Sequence, residues 1–207
     1  MKKMAVVMIL VLSASFAALA AIVQPPDGVN GYYSNTPFPQ GIADDFVSPI
    51  SGQVTAIEWF GGYVDNLPST NLFTIKIFTE IGGLPGVKIS EESAPIVPIG
   101  TSVVFSGFVD EYYYSMALAS PVPVTSGTNY WLCIYSDDAE WAWESGGMGN
   151  SIAAWSTNAG SGFEAGWMFD SPHDLASLIT VVPEPGSVAL FVLGAAAIAI
   201  RRRSTKK

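Results

Sequence analysis

The sequence predicts an all-β body, a jelly-roll-like β-sandwich with a closed barrel as the alternative, and three observations carry that prediction. Charged residues make up only 13% of the chain, while 20 glycines and 14 prolines punctuate it. Runs of the helix formers Glu, Lys, Ala and Leu are missing from its middle. Apolar residues recur at every second position in several short segments, the pattern of a strand with one face buried and one exposed.

The elements follow in order. Met1-Lys2-Lys3, an apolar run from Met4 to Phe16 and the small residues of Ala18-Leu19-Ala20 have the order of a secretory signal peptide. Residues 1–21 are therefore expected to be removed by signal peptidase near Ala20 or Ala21. Strands are expected near 43–48 and 53–61, then near 72–80, where Phe73, Ile75 and Ile77 alternate with Thr74 and Lys76. The turn residues Gly82-Gly83-Leu84-Pro85-Gly86 close that strand. Strands near 101–109 and 111–119 come next, the second setting Tyr112, Tyr114, Met116 and Leu118 against Glu111, Tyr113, Ser115 and Ala117. After Pro121-Val122-Pro123 and Ser126-Gly127-Thr128, a strand near 129–136 alternates Tyr130, Leu132 and Ile134 with Trp131, Cys133 and Tyr135. Short strands near 139–144, 151–156, 166–170 and 174–181 complete one ectodomain, residues 22–180.

The C-terminal segment changes character. Pro183-Glu184-Pro185-Gly186 is unsuited to a helix interior, because each proline lacks an N–H and pushes the residue before it to extended geometry. Thr180 to Pro185 is thus expected to be a short juxtamembrane linker. Ser187 then suits a helix N-cap. The uncharged run 187–200 is apolar on every side, which predicts a short transmembrane helix. Its length is about 21 Å against a hydrocarbon core of roughly 30 Å. A transient anchor would suit that length. Arg201, Arg202 and Arg203, with Lys206 and Lys207, form a basic tail, 201–207, that the positive-inside bias leaves in the cytoplasm.

Val182-Pro183-Glu184-Pro185, a short hydrophobic helix and an arginine cluster, in that order, resemble the PEP-CTERM sorting signal of exosortase substrates, over residues 181–207. The resemblance implies that Val182, Pro183, Glu184 and Pro185 are the recognition motif and that exosortase, a membrane-embedded cysteine protease-transpeptidase, is a partner. It further implies a membrane-anchored precursor, then residence in the envelope, surface or extracellular matrix of a Gram-negative bacterium that makes exopolysaccharide and biofilm. Phe46, Trp59-Phe60-Gly61-Gly62, Gly83-Leu84-Pro85-Gly86 and Gly127-Thr128-Asn129-Tyr130-Trp131-Leu132 also resemble the β-sandwich ectodomains that precede this tail.

Charge and side-chain inventory bound the function. Between Ile22 and Val182 stand seventeen acidic residues against Lys76 and Lys88, a net charge of about −15. Such a surface repels nucleic acid. Calcium is the cation it would attract, and the paired acids Asp44-Asp45 and Asp137-Asp138 are the candidate ligands. Cys133 is the chain's one cysteine, so no internal disulfide forms, and its apolar neighbours predict a buried hydrophobe. His173, the one histidine, lies beside Pro172 at the start of a strand and reads as a surface residue. With no nucleophile elbow and no His or Cys at zinc spacing, a non-enzymatic role with no catalytic residues is expected. The alternative is glycan binding through Trp141 and Trp143, whose indoles alternate with Glu140 and Glu144 close to Asp137 and Asp138. At least one of the two is expected to be core.

Overall fold

A computed structural model describes residues 19–64, 71–137, 139–147, 149–169 and 173–184. Its strands, in chain order, are β1 (Ala20–Gln24), β2 (Pro26–Tyr33), β3 (Gly41–Val47), β4 (Gly52–Tyr63), β5 (Leu72–Ile81), β6 (Leu84–Pro95) and β7 (Ile99–Phe105). They continue as β8 (Val109–Val124), β9 (Asn129–Ser136), β10 (Trp141–Gly146), β11 (Ala153–Ser156), β12 (Met168–Phe169), β13 (Asp174–Leu175) and β14 (Ser177–Pro183). Two antiparallel sheets result. In the eight-stranded sheet the order β1-β14-β4-β10-β13 is extended by β8 on the opposite edge of β4, by β7 outside β8, and by β2 beside β10. The six-stranded sheet runs β12-β11-β3-β9-β5-β6. The all-β sandwich is what the alternation predicts.

The inner faces of the two sheets make the main core. Phe73, Ile75 and Ile77 of β5, with Leu132 and Ile134 of β9, meet Ile57 and Trp59 of β4, Tyr114 and Met116 of β8, Trp141 and Trp143 of β10, and Ile179 and Val181 of β14. Val54 and Ile57 both reach this core although they are three apart. The ladder to β8 slips between Val54 and Ala56, and that bulge flips the phase of the strand once.

A second cluster lies on the outer face of the six-stranded sheet. Phe78, Trp131, Cys133, Tyr135 and Ala154 pack there under Phe163 and Trp167 from residues 157–167, which cross the sheet as a strap around the 3-10 turn Ala159–Ser161. The central strand β9 is consequently buried on both faces. Phe163 sits over Gly41, where any Cβ would overlap its ring, and meets Tyr135 edge-on at 4.9 Å. Beside it Lys76, 2% exposed, donates to the Gly162 carbonyl at 2.7 Å and pairs with Glu164 at 3.3 Å.

Several expectations are corrected. β1, β2 and β6 are strands where none is expected, and the turn ahead of β6 shrinks to Gly82-Gly83. The acids Asp44, Asp45, Glu91, Glu92, Asp110 and Glu111 all lie in strands. β14 runs on to Pro183, so Thr180 to Pro183 are sheet and not linker, and the sheet crosses the expected boundary at residue 180. Among the described residues no helix is long and apolar enough to cross a membrane. The expected helix 187–200, the basic tail with Arg201, Arg202 and Arg203, Pro185, and most of the signal peptide lie outside the described residues.

Candidate functional site

Trp141 and Trp143 are placed by β10, which pairs with β4 through Trp141↔Tyr63 and Trp143↔Gly61. Two apart, they share a face, and it is the inner one. Both are 0% exposed, and the Trp143 indole N–H donates to the Ala176 carbonyl at 3.0 Å. Enclosed rings offer no face to a sugar. Both are core, where at least one is expected to be, and the alternative of a glycan platform on this pair is not what the fold presents.

The four aspartates proposed for calcium do not converge. Asp44 and Asp45 are consecutive in β3 and so point to opposite sides. Asp44 reaches across the sandwich to accept the Leu175 N–H at 2.8 Å, while Asp45 accepts from the Asn150 amide at 2.9 Å. Burial first, then the charges of Asp174 and Asp45, push the Asp44 carboxyl well above its ordinary range. Asp137 lies five residues beyond Leu132, the partner of Asp44, which is about 17 Å along the chain at roughly 3.4 Å per residue. It accepts the Thr74 hydroxyl there at 2.6 Å. Asp138 is outside the described residues. Among the described residues no group of three His, Cys, Asp or Glu side chains is placed to hold a metal.

His173 is 8% exposed and stacks flat on Tyr32, with ring centroids 3.6 Å apart. It is a packed residue, not a surface one. Cys133 is fully buried as expected, and burial lifts its thiol to about 12, which leaves it unreactive.

An acid pair goes unsignalled in the sequence. Glu111 of β8 and Glu144 of β10 are both buried, 4% and 0% exposed, and lie close enough to act on one another. Glu144 also accepts the Gly28 N–H at 2.9 Å, which fastens β2 across it. The next residue, Ser145, donates to Asp27 at 2.6 Å. Burial first, then Glu111, raise Glu144 to about 8. The pair lies 33 residues apart in the chain, on strands separated by β4, so no spacing betrays it.

The remaining candidate is the end of β14. From Ser177↔Gln24 to Val181↔Ala20 this strand is paired on one edge by β1. On the other edge β4 pairs it from Ser177↔Trp59 to Pro183↔Gly52. Val181 is 0% exposed, Val182 and Pro183 are half-buried, and Glu184 is exposed. Compared with known families, residues 181–203 match the model of the PEP-CTERM protein-sorting motif. The chain carries a PEP-CTERM sorting motif.

Its match begins inside the fold, at the last three residues of the terminal strand. The signal makes this an exosortase-sorted, secreted protein of the cell surface, with exosortase as its processing partner. A comparison with curated proteins finds no relative for the chain.

Proposed function

We propose that this PEP-CTERM protein is a structural component of the envelope or biofilm matrix of a Gram-negative bacterium, non-enzymatic and without a cofactor. The observation that supports this most is the direct join between signal and sandwich, since the last strand of the ectodomain is also the start of the motif. What the sorting machinery handles is then the folded domain itself. The large indoles of β10 are committed to packing, and the acidic surface keeps the displayed domain solvated. Signal peptidase would first remove residues 1–21, and 187–200 would hold the precursor in the membrane until exosortase acts.

In a host with the cognate exosortase, the mature protein is expected in the surface fraction without Arg201 to Lys207, as read by intact mass. Changing Pro183, Glu184 and Pro185 together to alanine is expected to leave a full-length, membrane-bound precursor. An intact tail on wild-type protein at the surface would overturn the sorting reading. Retention of the ectodomain on extracted exopolysaccharide would replace the structural role with a glycan-binding one, through a face other than that of Trp141 and Trp143.

A further inference from the structure

We propose that the ectodomain takes part in its own processing: Gly52 and Gln53 of β4 hold Val182 and Pro183 extended, and exosortase docks along the open edge of β14. This deepens the sorting reading and rests on it.

The two edges of β14 end at different places. β1 reaches no further than Ala20, opposite Val181, and after removal of residues 1–21 it would begin at Ile22, opposite Ile179. β4 continues for two more pairs, Val182↔Gln53 and Pro183↔Gly52. Past Val181 the strand is therefore held on one side, and on the other it has no paired strand among the described residues. The held side has a specific seat. A Cβ at Gly52 would run into the Val182 carbonyl and lie 3.1 Å from the Pro183 Cα, so only glycine lets the motif strand approach this closely. Gly52 is tied on its other edge to Val124 of β8, which fixes the seat within the sheet. Pro183, having no N–H to donate, ends the ladder at the motif, and Glu184 is the first motif side chain clear of the fold.

An extended segment with one open edge is the form in which strand addition recognises a peptide. A disordered tail would have to be ordered when the enzyme binds, at an entropic cost. Here β4 has ordered Val182 and Pro183 beforehand, and preorganisation of that kind strengthens binding without adding contacts. Gly52 and Gln53 are positioning residues, since they act on the motif and not on the bond that is cleaved.

The test uses the full-length protein in a host with the cognate exosortase and follows loss of the tail by pulse-chase and intact mass. A six-residue Gly-Ser insertion between Val181 and Val182 leaves the motif whole but lifts it off β4, and tail removal should slow about tenfold. Gly52→Val, which unseats the strand without lengthening it, should slow removal to a similar degree. Combining the two should slow it no further, because both remove the same constraint. The non-additivity is the readout that a merely structural glycine would not give. Tail removal from the insertion variant as fast as from wild type, or additive effects of the two changes, would overturn the proposal. The sorting reading fails separately, if alanine at all three of Pro183, Glu184 and Pro185 is processed normally.

Discussion

Glu144 is the residue whose chemistry the fold changes most visibly. It is buried in β10 of the eight-stranded sheet, beside β2, with Glu111 of β8 and Asp27 of β2 close by. Its folded-state value, about 8, lies above that of an unfolded glutamate, so the folded state binds the proton more tightly. The stability this contributes is complete below the unfolded value of about 4.3 and is lost as pH rises through about 8. Asp44, raised by burial, acts in the same sense. Urea denaturation between pH 5 and pH 8 should therefore show stability falling with pH, and Glu144→Gln should flatten that slope. A variant with the wild-type slope would show that another group carries it. Nothing in the sequence marks Glu144 as buried, because a charged residue at the end of a short strand ordinarily faces water. Trp141 and Trp143 were legible as sharing a face, but which face depends on the pairing of β10 with β4, a contact between residues some eighty apart.

At the scale of the element, alternation identified the strands whose inner face is apolar and whose outer face is polar. β6 was missed because Pro85, Pro95 and the run Ser90-Glu91-Glu92-Ser93 imitate a loop, and an edge strand tolerates such residues. β2 was missed for its proline and two glycines, β1 because it overlaps the region where cleavage of a leader is expected. The strap, residues 157–167, is the element with no periodic signal at all. Phe163 sits in it at a φ of +58°, a conformation costly for a bulky side chain, and packing against Gly41 and Tyr135 holds it there. Phe163→Ala should cost about 3 to 5 kcal/mol, the usual range for a buried aromatic. Phe163→Gly should cost no more than that, reversing glycine's ordinary penalty, because glycine adopts positive φ freely. Lys76→Met should change stability by less than about 1 kcal/mol, since it replaces a buried ammonium with an apolar side chain of similar length and leaves the half-exposed Glu164 paired with Lys88. Equilibrium denaturation of the three variants ranks them, and a Lys76→Met loss equal to that of Phe163→Ala would mean that the ionic contact, not the ring, closes the strap.

For the whole molecule, the sequence divides the chain into leader, body and sorting tail, and the body's fold class follows from composition and alternation. What it cannot place is the joint between body and tail. Prolines at 183 and 185 read as the end of structure, and a strand that terminates on a proline looks the same in sequence as a linker that begins with one. The sheet decides between them, because Val181 is wholly buried and Val182 and Pro183 extend the ladder to β4. The joint therefore belongs to the stability of the domain as well as to its sorting. A fragment from Ala21 to Thr180 loses the side chain of Val181 and three ladder pairs that a fragment from Ala21 to Glu184 keeps. Burying a valine contributes roughly 1.5 to 3 kcal/mol. In a domain of this size each kcal/mol moves the melting midpoint by about 2 to 4 °C. The shorter fragment should accordingly melt about 3 to 12 °C lower. Equal midpoints would mean that β14 contributes nothing past Thr180, and would remove the basis for a motif held by the fold.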